Sequence, residues 1–258
     1  MHGLNNSYGR SWYSIHGLVD KTVTWTPSDS EDRFEENMAD PKKRAQLEKF
    51  GWTRDNVSYT FNQYGFRADQ FANGVNDSIV FLGCSHTVGI GVDLESTWAY
   101  KVASSLGLRR YNLGVGASSA DTCFRLAYHW IPRLKPKYVV MLTPSHTRME
   151  MVLERYLVNL MPNMSTYIEK EYAGILEGFY NAWLSHPANG QMNRLKNVMG
   201  VQTICDSIGV PLVEIPSEQT WYGQLWQETL GRDLMHPGRE WHEKVAKTFM
   251  EKHSELPT

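Results

Sequence analysis

Three residues of this 258-residue chain combine the types and the placement that nucleophilic catalysis needs. Ser85 lies in Gly83-Cys84-Ser85-His86-Thr87-Val88-Gly89, and Asp233 and His236 sit three apart just before Pro237-Gly238. A serine hydroxyl is a weak nucleophile until a neighbouring base takes its proton. An imidazole whose other nitrogen is held by a carboxylate is such a base. Asp-x-x-His supplies both groups from one loop, with His236 as base and Asp233 as the residue that orients it. Small residues at Gly83, Cys84, Gly89 and Gly91 allow a tight bend after an apolar run, which would lift the Ser85 hydroxyl clear of a sheet. Backbone N–H groups at such a bend face a developing oxyanion. Each segment alone has a plainer reading: a glycine-rich turn whose serine caps a helix, and a capped loop before the last helix. Their order joins them, a strand-end serine followed much later by Asp-x-x-His in the final loop. A phosphate-cradling loop is disfavoured because Gly-x-x-x-x-Gly-Lys-Ser/Thr is absent.

The elements that must position these groups follow from hydrophobic pattern. Ser78-Ile79-Val80-Phe81-Leu82 is a continuous apolar run, expected of a strand buried on both faces. Arg110-Tyr111-Asn112-Leu113, Tyr138-Val139-Val140-Met141-Leu142 and Pro211-Leu212-Val213-Glu214-Ile215 read as three further strands. Between them, residues 97–106 place Trp98, Val102 and Leu106 on one helical face, with Gly107 as the stop. A second helix carries Cys123, Leu126, Ala127 and Trp130 inward and is expected to end at Pro132. Residues 147–190, rich in Met and aromatics, read as a long helical stretch. Met192, Leu195, Met199 and Ile204 fit the apolar face of a helix ending before Gly209. A last helix buries Trp241, Val245 and Phe249. Alternating strands and helices with short connections predict an α/β fold, a mainly parallel sheet covered on both sides. Ligands of such sheets bind beyond the carboxyl ends of the strands. Ser85 and the turns at 114–119 and 143–148 fall there.

Residues 1–75 differ in character and are expected to form an N-terminal extension packing on a main domain of residues 76–258. In the extension, 28–50 reads as one or two short exposed helices, and Tyr59 to Arg67 as an extended segment turning at Gly65. A formal charge of -2 argues against a polyanionic partner, so no nucleic acid is expected. No apolar run approaches the ~20 residues of a membrane span. The start of the chain lacks a basic-then-apolar signal, and three well-separated cysteines, Cys84, Cys123 and Cys205, fit a reducing compartment. A cytoplasmic location is therefore the expectation. His2, His16, His129, His186, His242 and His253 show no metal-ligand spacing, and no cofactor is called for.

At this point the chain resembles the SGNH (GDSL-type) hydrolases over roughly residues 76–250. The resemblance rests on Phe81-Leu82-Gly83-Cys84-Ser85-His86-Thr87 with Gly89 and Gly91, on Asn112-Leu113-Gly114, and on Asp233-Leu234-Met235-His236-Pro237. Asn62-Gln63-Tyr64-Gly65-Phe66-Arg67 is similar to a stretch that often precedes this domain. It implies a flavodoxin-like three-layer α/β/α sandwich and an esterase, often acting on acetyl groups of sugars. It makes Ser85 the nucleophile, His236 the base and Asp233 its partner. It also implies an oxyanion donor from the backbone at Ala117, beside Gly116, and a side-chain donor where His146 or, with one gap, Ser145 stands. Cys84 replaces the usual Asp before the serine. His86 and Arg148 are further candidates at the site, Arg148 for an anionic substrate group or for a carboxylate of the fold. The expected partner is a small-molecule or glycan ester. Acyl transfer to a sugar hydroxyl by the same triad, or a non-catalytic glycan-binding module of the same fold, are the alternatives.

Overall fold

The structure, a computed structural model, describes residues 12–74, 76–153, 156–162, 170–216 and 229–254. His2 and the first residues read for a secretory signal lie outside the described residues, as do residues 154, 155 and 163–169 of the 147–190 stretch. In the N-terminal segment, β1 (Thr22–Val23) pairs antiparallel with β2 (Tyr59–Thr60). Between them stand α1 (Glu31–Ala39) and α2 (Pro41–Lys49). Ser30 caps the first by accepting from the Arg33 amide. Asp40 caps the second by accepting from the Lys42 and Lys43 amides, with Pro41 in the opening turn. Each helix is held by a buried anchor, Phe34 in one and Leu47 in the other.

The main sheet contains β3 (Ser78–Leu82), β4 (Arg109–Asn112), β5 (Tyr138–Thr143) and β8 (Leu212–Pro216), all parallel, in the order β4-β3-β5-β8. Counted along the chain this is 2-1-3-4, the order of flavodoxin-type doubly wound sheets. Alternation along the central strands sets the layers. Ile79, Phe81, Val140 and Leu142 face α4 (Trp98–Ser105) and α8 (Arg239–Lys252), where Trp98, Trp241, Val245 and Phe249 are buried. Each such side chain contributes roughly 1.5–3 kcal/mol. Val80, Leu82, Val139 and Met141 face the other way, toward α5 (Ala120–Leu134), α7 (Pro187–Ser207) and the N-terminal segment. The fold is therefore a three-layer α/β/α arrangement, and the N-terminal segment shares the core of one layer.

Three expectations are corrected. The 147–190 stretch is not one helical run: β6 (Met149–Leu153) and β7 (Tyr156–Leu160) form an antiparallel hairpin before α6 (Lys170–Leu184). Its pairing sets Met149 opposite Leu160 and Met151 opposite Val158. The apolar residues there recur with period two, and methionine's helical preference yields to that alternation. Helix α5 does not stop at Pro132 but continues to Leu134. Burial of Ile131 and Leu134 offsets the amide that Pro132 lacks in the last turn of the helix. In α7 the expected apolar face points outward, with Met192, Leu195 and Met199 50–65% exposed (64%, 51% and 60%). The inward face carries Gly190, Asn197, Val201 and Cys205. Asn193 and Asn197 each donate to Asp121 of α5, and these polar ties orient the helix.

Candidate active site

Strand β3 runs out at Gly83, and α3 (Ser85–Val88) begins two residues later. Gly83 has a positive φ of 156°, and a Cβ there would lie 2.2 Å from Thr87 Oγ1 and 2.9 Å from the Leu142 carbonyl. Only glycine allows the strand to turn this closely over its neighbour. The 114–119 turn is tied to the same bend: Val115 N and Ser118 Oγ donate to the Gly83 carbonyl at 3.0 and 2.9 Å. Asn112 Nδ2 donates to the Thr87 carbonyl at 2.6 Å, while Asn112 Oδ1 accepts from Gly114 N. These bonds fix the Ser85 turn against the end of β4. Ser85 itself is 7% exposed. Cys84 is buried and makes no side-chain cap. Gly116 and Ala117 are half-buried, and Ala117 has φ +60°. That left-handed conformation costs a non-glycine residue about 1–2 kcal/mol.

The second part of the site is the loop before α8. Asp233 Oδ2 meets His236 Nδ1 at 2.5 Å, and Asp233 Oδ1 accepts from the amides of Met235 and His236 at 3.0 Å. Burial pushes the Asp233 carboxyl up, but the His236 charge and these hydrogen bonds hold it below the ordinary value. An ionised carboxylate only accepts, so Nδ1 carries the proton and Nε2 is the nitrogen left for proton transfer. The loop docks on the residues that follow α3: Arg232 N donates to the Gly91 carbonyl at 2.8 Å. A Cβ on Gly91, whose φ is +83°, would lie 3.1 Å from Gly231 Cα and 3.2 Å from Asp233 Oδ1. The His236 ring lies edge-on to that of His86, centroids 5.9 Å apart.

His86 is buried beside Trp241, at 5.7 Å between ring centroids. Burial lowers its pKa well below the ordinary value, and the charges of His236, Arg148 and His242 act in the same direction. Arg148 Nη1 reaches the Ser118 carbonyl at 3.5 Å, which places its charge beside the 114–119 turn. Ser145 turns its hydroxyl to Thr147 Oγ1 at 2.9 Å. The backbone of His146 closely approaches Gly190 of α7. Among the described residues no group of His, Cys, Asp and Glu could hold a metal ion. No helix among them is long and apolar enough to cross a membrane.

His242 lies behind the site, its Nδ1 accepting from Trp98 N at 3.2 Å. Burial lowers its pKa from 6.5 to about 3. Below pH 6.5 the unfolded imidazole binds a proton that the folded one refuses, so stability is lost as pH falls toward that lower value. Between pH 7 and pH 5 this group alone should remove about 2 kcal/mol, a drop in Tm of about 4–8 °C. Thermal melts at the two pH values measure it. His242→Asn keeps an acceptor for Trp98 N and should flatten the pH dependence by that amount.

The sequence reading did not single out the buried polar residues that hold these loops. Arg67 donates to the carbonyls of Ser58, Val88, Gly89 and Val92. Arg232 pairs with Asp29, and Tyr59 joins Asp29 to Gly91. Within the Asn62–Arg67 stretch, Asn62 Oδ1 accepts from the amides of Tyr64 and Phe66, which shapes the turn that aims Arg67.

No protein-family model matches the chain, and no curated protein matches it by sequence. Solved structures do match it. The psychrotrophic esterase EstA from Pseudoalteromonas sp. is 11% identical, with TM-score 0.38 over 69% of this chain and 97% of its own. An acetyl xylan esterase from the rumen bacterium Butyrivibrio proteoclasticus is 13% identical, with TM-score 0.36 over 72% and 67%. A GDSL-like lipase from Bacteroides thetaiotaomicron is 12% identical, with TM-score 0.34 over 72% and 92%.

Proposed function

We propose that the chain is a serine esterase in which Ser85 attacks an ester carbonyl while His236 Nε2 takes its proton. Asp233 holds the imidazole through Nδ1 and stabilises the imidazolium. The tetrahedral oxyanion is received by the Ser85 amide, which the first turn of a helix leaves without an intrahelical acceptor, and by the amide of Ala117 or Gly116. His146 or Ser145 supplies the side-chain donor. The alcohol leaves with the proton from His236, and water, activated by the same imidazole, releases the acid from the acyl-Ser85 ester. The substrate class is an O-acyl ester, with an O-acetyl carbohydrate as the form that the resemblance implies. Arg148 offers a cation at the rim to an anionic substituent.

The observation that carries this reading is the Asp233–His236 pair at 2.5 Å, on a loop bonded through Arg232 N to the Gly91 carbonyl, just beyond the Ser85 helix. A fluorophosphonate probe tests it, since the probe reacts far faster with a base-activated hydroxyl than with an ordinary one. Mass mapping should find the label on Ser85, and His236→Ala should prevent labelling. A label on another residue, or none, would overturn the assignment. With an acetylated oligosaccharide, free acetate is the expected product even when a second sugar is offered as acceptor.

A further inference from the structure

We infer that Arg232, Asp29 and Tyr59 form a positioning device that fixes the His236 loop against the Ser85 turn, making the N-terminal segment part of the catalytic apparatus. The inference rests on the proposed triad. Its ground is a closed circuit of hydrogen bonds through three distant segments. Arg232 N donates to Gly91 O at 2.8 Å, and Gly91 N donates to Tyr59 Oη at 2.8 Å. Tyr59 Oη donates to Asp29 Oδ2 at 2.5 Å, and Asp29 accepts from the Arg232 guanidinium, which closes the ring.

Arg232 is fully buried, and each of its five N–H donors has an acceptor. Nε bonds Asp29 Oδ1 at 3.1 Å, and Nη1 bonds the carbonyls of Arg54 and Val57 at 2.6 and 3.2 Å. Nη2 bonds the Thr24 carbonyl and Asp29 Oδ2 at 2.5 and 2.8 Å, and the guanidinium lies 3.9 Å from the Trp25 ring centroid. The residue after Arg232 is Asp233. On the other arc, Ile90 N donates to the Ser85 carbonyl at 3.2 Å. The circuit thus joins the nucleophile's turn to the residue that orients the base. A buried ion pair stabilises a fold little better than well-packed apolar residues of similar volume. Its directional bonds fix geometry, and a misplacement of about 1 Å at a catalytic group can cost about a hundredfold in rate.

Tyr59→Phe removes one oxygen and opens the circuit, and Asp29→Asn weakens its ionic arc. Val245→Ala, in the opposite layer, serves as a control for lost packing alone. For 4-nitrophenyl acetate, both circuit variants should lose about tenfold to a hundredfold in kcat, with KM within about twofold of the parent. Val245→Ala should lower Tm and leave kcat unchanged. Parental kcat in Tyr59→Phe and Asp29→Asn, while Ser85→Ala is inactive, would overturn the inference. So would a loss in kcat that only follows Tm and appears equally in Val245→Ala. Activity retained by Ser85→Ala would instead remove the esterase reading on which it rests.

Discussion

Ser85→Ala should lower kcat for a short-chain aryl acetate by about 10⁴–10⁶-fold, measured against the spontaneous reaction. A factor of 10⁶ corresponds to about 8 kcal/mol of barrier. No effect on folding would produce it from the loss of one oxygen at a turn whose bonds are made by backbone and by Asn112 and Ser118. His236→Ala should fall as far, and the double variant should be no worse, because nucleophile and base act as a unit. Asp233→Asn should lose about 10⁴-fold by favouring the wrong imidazole tautomer. Cys84→Ala separates the hydroxyl from the adjacent thiol. Cys84 stands one residue before the helix and caps nothing through its side chain, so this variant should keep its rate within about tenfold, well short of a lost nucleophile. If Cys84→Ala were inactive and Ser85→Ala active, sulfur would be the nucleophile and the Ser85 assignment would fail.

The sequence made some of these features legible and hid others, for physical reasons. Strand β3 was legible because burial on both faces requires an unbroken apolar run, as in Ile79 to Leu82. The bend before Ser85 was legible because Gly83 is forced by the close approach of Thr87 and Leu142, and a forced glycine marks the bend. Asp233 and His236 were legible because they pair within one loop. The hairpin was missed because Met149 and Met151 belong to a residue type that favours helices, while the deciding information was the pairing with Val158 and Leu160. The exposed face of α7 was missed because Met192, Leu195 and Met199 carry the hydrophobic pattern. The face that packs is instead selected by Asp121, a partner far away in sequence. Arg67 stood within a visible motif, but nothing local told that three of its four acceptors, Val88, Gly89 and Val92, lie just beyond the Ser85 turn. Arg232 and Asp29, 203 positions apart, left no local trace at all.

That buried pair carries the second large effect. Arg232→Met should destabilise the chain by about 3–5 kcal/mol, because it leaves the Asp29 carboxylate buried without its cation. For a chain of this size the loss corresponds to a fall in Tm of about 6–20 °C. Burial already raises the Asp29 pKa above its ordinary value, with Arg232 and Tyr59 opposing that rise. Without Arg232 the rise is larger. A carboxyl whose folded pKa is raised favours the folded state below its unfolded pKa and loses that advantage as pH rises through the folded value. The deficit of Arg232→Met relative to the parent should therefore shrink as pH is lowered and the carboxyl takes a proton, even while His86 and His242 weaken both proteins alike. Removing the stranded charge as well, in Arg232→Met with Asp29→Leu, should recover much of the stability, since an apolar pair of similar volume can replace a buried ion pair with little loss. Activity should not return with it, because the Met and Leu side chains cannot remake the bonds to Tyr59, Thr24, Arg54 and Val57. A double variant both stable and fully active would mean that the pair holds the fold and does nothing for the His236 loop.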